Sequence, residues 1–313
     1  MINRTKKNIF YTILCIILTV LFVTISGNIL APTDNDTAIS RTQIQTFHAL
    51  PENSIDVISF GSSHNWRGMN MQPFIDNGIS AYNYGNNWQH INTTQQFLYD
   101  ALKTQSPKIV LIESVNAYKL LQEMDMEGEI FYTRNLKPDI HRIEYLHQCF
   151  GSYLKPFRYF SYVFPVLTFH SNWENITTDN FKRNPGDCNF LESHGSVLIQ
   201  DAMPLPFEWN GESPDQFEFD SRPLEILTDI AKTCNENNIT LIFYTSPGFD
   251  EYHYTDAIQR FADEHNCLYV SKDEIWKATD VNGETDFSDY SHLNASGATK
   301  VGKYLSEIVK KYL

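Results

Sequence analysis

Five short apolar runs, at 55–60, 79–84, 108–113, 239–245 and 267–271, alternate with stretches whose apolar residues recur at helical spacing, and that alternation constrains the fold more than any other feature. None of the runs shows clean in-out alternation of apolar and polar residues, so each reads as a strand covered by helices on both faces. Helical patterns occupy 93–104 (Phe97, Leu98, Leu102), 223–235 (Leu227, Ile230, Cys234), 254–265 (Ile258, Phe261) and 295–313 (Val301, Leu305, Ile308). The expected fold class is α/β, a three-layer α/β/α sandwich with a central parallel sheet. Residues 119–221, between the third and fourth strands, are too long for a crossover helix and rich in Phe and Tyr. They read as an inserted, partly helical subdomain placed to cap the sheet edge where sites form.

The N-terminus is a separate problem. Arg4, Lys6 and Lys7 precede an uncharged stretch from 8 to 33, and the next charges are Asp34 and Asp36. As a helix this stretch can cross a hydrocarbon layer about 30 Å thick. Basic residues on its N-terminal side place residues 1–8 in the cytoplasm and everything after about residue 32 outside, by the positive-inside bias. A cleaved signal peptide needs a shorter apolar core and an A-x-A-like site. No clear site follows, although Ser26, Gly27 and Ala31 are small, so the reading is an uncleaved single-pass anchor at 1–30. The polar stretch 31–53, with Pro32 and Pro51, reads as a tether followed by a short packing segment, and 54–313 as the extracytoplasmic domain at the cell membrane.

Three of the 24 basic residues lie in the first 33 positions and no acidic one does, which leaves 21 basic against 38 acidic side chains outside. Such a surface repels nucleic acid and anionic headgroups, and suits a domain that meets neutral or cationic envelope carbohydrate. Of five cysteines, Cys15 lies in the anchor, and Cys149, Cys188, Cys234 and Cys267 are exported. An exported location permits disulfides, but the spacing resembles no metal site, and buried free thiols are the default.

The first run stops on Gly61-Ser62-Ser63-His64. In a doubly wound sheet, ligands bind beyond the carboxyl ends of the strands, so this turn faces the crevice. A serine hydroxyl is a poor nucleophile until a base takes its proton and a third group orients that base. Asp289-Tyr-Ser-His292 supplies a histidine and a carboxylate just before the last helix, where Asn294 is a plausible N-cap. A second Asp-x-x-His, Asp250 to His253, follows the fourth strand. Its position just before the terminal helix favours His292.

These blocks resemble the SGNH/GDSL hydrolase superfamily, and that resemblance implies a flavodoxin-like SGNH fold. It also implies that Ser63 is the nucleophile, His292 the general base and Asp289 its orienting carboxylate. The superfamily's oxyanion donors map onto the N–H of Ser63, that of Gly85 after the second strand, and the side chain of Asn116 after the third. Asn86, Asn87 and Gln89 are alternatives to Asn116, since Ser114 and Ala117 depart from the family's wording. Ser62 and His64 in place of Asp and Leu make the first block more similar to the branch acting on bacterial envelopes, including the proteins of teichoic acid D-alanylation and alginate O-acetylation.

The resemblance therefore implies a serine esterase or O-acyltransferase working on acetyl or D-alanyl esters of a cell-surface polysaccharide or teichoic acid-like polymer. It implies work beside a membrane-bound O-acyltransferase, with no metal or organic cofactor. Trp66, Trp88 and Gln89 are candidates for substrate binding near the first two strand ends. The competing expectation is a non-catalytic envelope scaffold that keeps the fold and binds polymer or protein.

Overall fold

The computed structural model describes residues 2–33, 36–120, 132–137, 139–150, 156–182, 189–205, 217–248 and 254–313. Five parallel strands, β1 (Val57–Phe60), β2 (Ala81–Asn83), β3 (Ile109–Glu113), β4 (Thr240–Tyr244) and β5 (Leu268–Val270), form one sheet in the order β2-β1-β3-β4-β5. Each lies inside one of the five apolar runs. The order is that of flavodoxin-like doubly wound sheets, in which the strand order reverses at β1 and opens a crevice between β1 and β3.

Alternate residues of the strands serve two separate cores. Ile58 and Phe60 of β1 and Val110 and Ile112 of β3 pack with Phe97, Leu227, Ile230 and Ile258 from helices Ile91–Ala101, Ser221–Glu236 and Thr255–Glu264. Val57, Ile109 and Leu111 point the other way, onto Phe74, Ile275, Val301 and Leu305 from helices Gln72–Asp76, Lys272–Ala278 and Ala295–Val309. Burial on both faces is why the runs lack polar alternation, and it makes the domain an α/β/α sandwich as expected.

The stretch expected as a tether and a short packing segment holds a helix, Asp36–Ala49. Ile44 and Phe47 are fully buried in the first core, and Phe47 stacks on Tyr84 with ring centroids 4.1 Å apart. Gln43, also fully buried, donates to the carbonyls of Asn83 at 2.9 Å and Gly195 at 2.8 Å. This segment is a structural part of the domain because its inward face satisfies backbone groups at the end of β2.

One helix, Ile2–Leu30, is long and apolar enough to cross a membrane, with a mean hydropathy of 2.6 over its best window. Its side chains are exposed from Arg4 to Phe22, and among the described residues it meets the rest of the protein near its C-terminal end. The described parts of the insertion are partly helical, with helices His141–Phe150, Pro156–Val163 and Val166–Phe169. The described cysteines, Cys15, Cys149, Cys234 and Cys267, form no disulfide.

Candidate active site

β1 runs into Gly61, whose φ of +145° belongs to a region that side chains with a Cβ rarely adopt. Space excludes a Cβ as well, since one built there would lie 2.5 Å from the Cβ of Glu113 and 3.0 Å from that of Asn65. The sharp turn lets Ser62 cap a short helix, Ser63–Trp66, with its Oγ accepting from the N–H of His64 at 3.3 Å. Ser63 is thus the first residue of a helix at the carboxyl edge of β1, and 9% exposed. Its own N–H donates to nothing among the described residues.

The loop before the last helix brings its imidazole to that serine. His292 Nε2 lies 2.7 Å from Ser63 Oγ, and His292 Nδ1 lies 2.9 and 3.0 Å from the two carboxylate oxygens of Asp289. An ionised carboxylate only accepts, so the proton of the neutral ring belongs on Nδ1. Nε2 then accepts from the Ser63 hydroxyl. Burial pushes the Asp289 carboxyl up, but the N–H of Ser291, the charge and ring of His292 and the N–H of His292 together hold it below its ordinary value. Those two backbone donors both reach Oδ1 at 2.9 Å.

The loop is held by its own frame. Ser288 N–H donates to His292 O at 2.9 Å, and Phe287 bridges to Leu293. Asn294 caps the final helix by accepting from the N–H groups of Ser296 and Gly297, as its position suggested. Beneath it, fully buried Asp286 receives Lys300 Nζ at 2.7 Å and Ser296 Oγ at 2.7 Å.

A layer of buried polar groups under the serine was not anticipated. Glu113, the last residue of the otherwise apolar β3, accepts from Ser62 Oγ at 3.0 Å and from the N–H of Val115 at 3.0 Å. Burial pushes its carboxyl up to about 7. Asn65 and Asn83, both fully buried, join the helix to β2 through Asn65 Nδ2 to Asn83 Oδ1 at 2.8 Å and Asn83 Nδ2 to Asn65 O at 2.8 Å. His64 packs its ring 4.8 Å from that of His292. Burial, reinforced by the neighbouring His292, pushes His64 down to about 3. The signal for Glu113 was present in the chain: a lone carboxylate closing an apolar strand.

The remaining expected residues divide. Gly85 lies beside β1, its N–H given to Asn83 Oδ1 at 3.0 Å, so an oxyanion would have to share that donor. Asn116 is 6% exposed, and its Nδ2 reaches the carbonyl of Trp88 at 3.3 Å, which leaves one of its two N–H bonds for another acceptor. Trp88 is 66% exposed with a φ of +58°, and Gln89 beside it is 1% exposed with neither end of its amide hydrogen-bonded among the described residues. Trp66 is a correction: it is fully buried, because it closes the turn of helix that Ser63 opens, and it lines no open cleft. Asp250 and His253 lie outside the described residues.

The insertion does reach this edge. Residues 194–205 run from β2 to the His292 loop: His194 O accepts from Asn83 N–H at 2.7 Å, Val197 N–H donates to Trp66 O at 2.9 Å, and Ile199 O accepts from Ala295 N–H at 2.7 Å. This strap ties the serine helix and the histidine loop together. Among the described residues no three His, Cys, Asp or Glu converge as metal ligands would.

The sequence matches no protein-family model and no curated protein. Among solved structures the chain is similar to one described as a "putative acylhydrolase" from Bacteroides fragilis NCTC 9343, with a TM-score of 0.43 and 11% identity over 89% of this chain and 99% of that one. It is likewise similar to a GDSL-like lipase from Bacteroides thetaiotaomicron VPI-5482, with a TM-score of 0.42 and 11% identity over 88% of this chain and 100% of that one. Likeness at that level carries nothing about chemistry, which rests on the chain's own geometry.

Proposed function

We propose that this chain is a membrane-anchored, extracytoplasmic serine esterase or O-acyltransferase of the SGNH type, acting on acetyl or D-alanyl esters of a cell-envelope polymer. The observation that supports it is the 2.7 Å approach of His292 Nε2 to Ser63 Oγ, with Asp289 behind the ring at 2.9 Å. Nucleophile, base and orienting group stand in the relation that acyl transfer needs.

In the proposed reaction His292 Nε2 takes the Ser63 hydroxyl proton as Oγ attacks the acyl carbonyl carbon. The carbonyl oxygen becomes an oxyanion, facing the unused N–H of Ser63, with Gly85 N–H and Asn116 Nδ2 as further donors. Collapse breaks the ester C–O bond, and the imidazolium returns its proton to the departing sugar or polyol oxygen. The acyl group is then on Ser63 Oγ. Water or a second hydroxyl, deprotonated by His292, attacks the carbonyl carbon of that acyl-serine; the bond from this carbon to Ser63 Oγ breaks, His292 returns the proton to Oγ, and the acyl group leaves as an acid or as a new ester. Asp289 stabilises the imidazolium without taking its proton.

Acyl donors delivered across the membrane by a membrane-bound O-acyltransferase would meet the site on the outer side, and a polymer acceptor of low negative charge suits the acidic domain. The test is the full-length protein with a fluorophosphonate probe and with p-nitrophenyl acetate, with and without glycan acceptor. Labelling and turnover lost in Ser63→Ala support the reading, and acceptor-independent turnover selects the esterase. Equal behaviour of wild type and Ser63→Ala would leave a non-catalytic scaffold.

A further inference from the structure

The insertion presents exposed apolar side chains next to the end of the apolar helix. Phe160 and Val163 on helix Pro156–Val163, Leu167 on helix Val166–Phe169, then Trp173, Ile176 and Phe181 are all at least a third exposed. Helix Pro156–Val163 turns Tyr162, not these residues, into the core formed with Tyr145, Leu146 and Cys149. A soluble helix reverses that choice for its outer face. Six large exposed apolar side chains within 22 residues mark a surface with a partner.

The same segment is fastened to helix Ile2–Leu30. A Cβ on Gly27 would lie 2.5 Å from the N of Val166 and 2.7 Å from the Cβ of Pro165, so the backbones meet there as only glycine allows. Asn172 Nδ2 donates to Leu30 O at 2.8 Å, and Asn180 Nδ2 donates to Ile29 O at 2.7 Å and to Ala31 O at 3.0 Å. These two side chains satisfy carbonyls at the helix C-terminus.

Helical rise fixes the height of that junction. From Lys7, the last basic residue before the apolar stretch, to Gly27 the helix climbs about 30 Å, which is about the thickness of the hydrocarbon layer. Residues packed on Gly27 therefore stand at the outer boundary when Lys7 stands at the inner one. The junction also carries a cavity of about 290 Å³ lined by Asn28, Arg41, Asn180 and Lys182. Arg41 Nε has no acceptor among the described residues.

We propose that the outward face of residues 160–181 is seated in the outer leaflet of the bilayer that helix Ile2–Leu30 crosses, holding the domain at a set height and tilt above the membrane. This rests on the anchor reading of that helix and not on the chemistry of Ser63. Trp beside a spanning helix favours the headgroup level, and Phe and Leu form the apolar side that interfacial helices bury at the acyl boundary.

The experiment reconstitutes the full-length chain in phosphatidylcholine–phosphatidylglycerol vesicles, with or without lipid brominated near the headgroup, and reads tryptophan emission. Brominated lipid should remove most of the emission that separates wild type from Trp173→Phe. A tryptophan restored by Phe181→Trp in the Trp173→Phe background should be quenched in the same way. Emission of both indifferent to bromine, in protein that resists carbonate extraction, overturns the proposal and leaves the patch to a protein partner or to water. Protein extracted by carbonate overturns it together with the anchor, whereas loss of probe labelling at Ser63 would touch only the proposed function.

Discussion

Glu113 accepts the hydroxyl of Ser62 at 3.0 Å, one residue before the serine that His292 holds at 2.7 Å. The carboxyl also receives the N–H groups of Val115, Ser246 and Ser62, yet burial outweighs these bonds and pushes it up to about 7. A carboxyl raised in this way binds a proton more readily folded than unfolded. Its contribution to stability is complete below its ordinary value of about 4.5 and is lost as pH rises toward about 7. The loss amounts to about 3 kcal/mol at about 1.4 kcal/mol per pH unit.

Glu113→Gln removes that titration while keeping an acceptor and the volume. Stability of the variant relative to wild type should therefore improve between pH 4.5 and 8, by up to about 3 kcal/mol or roughly 6–12 °C in Tm. His64, held down by burial, tilts stability the opposite way below its ordinary value of 6.5. Both chains carry it, so the difference curve isolates Glu113. Thermal unfolding of both proteins from pH 4 to 8 is the measurement, and a flat difference would refute the assignment.

Gly61→Ala should damage both fold and site. The new Cβ would take a φ of +145° and press on Glu113 Cβ at 2.5 Å, at the turn that aims Ser63. Backbone strain of this kind costs on the order of 1–3 kcal/mol before the clash is counted. The expected result is a Tm lower by at least about 3 °C, with probe labelling of Ser63 reduced further than the loss of folded protein explains.

The sheet was legible because all five strands are buried on both faces, which leaves unbroken apolar runs between helical patterns. Strand order was not legible, since β1 pairs with β2 and β3 through contacts that no local pattern encodes. Helix Asp36–Ala49 escaped because its inward face uses Ser40, Thr42 and Gln43 beside Ile44 and Phe47, and buried polar residues that bond backbone groups look like loop in a sequence. The three residues of the proposed relay were legible as motifs, Ser63 at a strand end and Asp289 with His292 in the loop before the last helix. What lies under them was not: the Asn65–Asn83 pair and Glu113 matter through partners 18 and 51 positions away. Trp66 misled for a local reason, since a helix begins at Ser63 and three positions later points its ring inward.

Asn116 is the most testable of the proposed oxyanion donors. Its amide has one N–H on Trp88 O at 3.3 Å, a long bond that a developing negative charge would outcompete for the same side chain. Asn116→Ala should lower kcat for an activated acetyl ester by about 10²–10³ with little change in KM. Gln89→Ala is the matched comparison, because its amide, in the loop after β2, is buried with neither end hydrogen-bonded among the described residues. A loss of kcat confined to the Gln89 variant would move the donor there.

Asp289→Asn separates orientation from structure. Oδ1 of Asp289 is held by the N–H groups of Ser291 and His292, both at 2.9 Å. An asparagine keeps those bonds only by placing its oxygen there, which turns its NH2 toward His292 Nδ1. That nitrogen must then accept, so the ring proton moves to Nε2, the atom facing Ser63 Oγ at 2.7 Å. A ring protonated on that side cannot remove the serine proton. The expected loss in kcat is on the order of 10³–10⁴ near neutral pH, with Tm within about 2 °C of wild type because Asp289 is half-exposed at the surface. Kinetics of the activated ester beside a melting curve decide it. A variant that turns over at the wild-type rate would show that Asp289 does not orient the base.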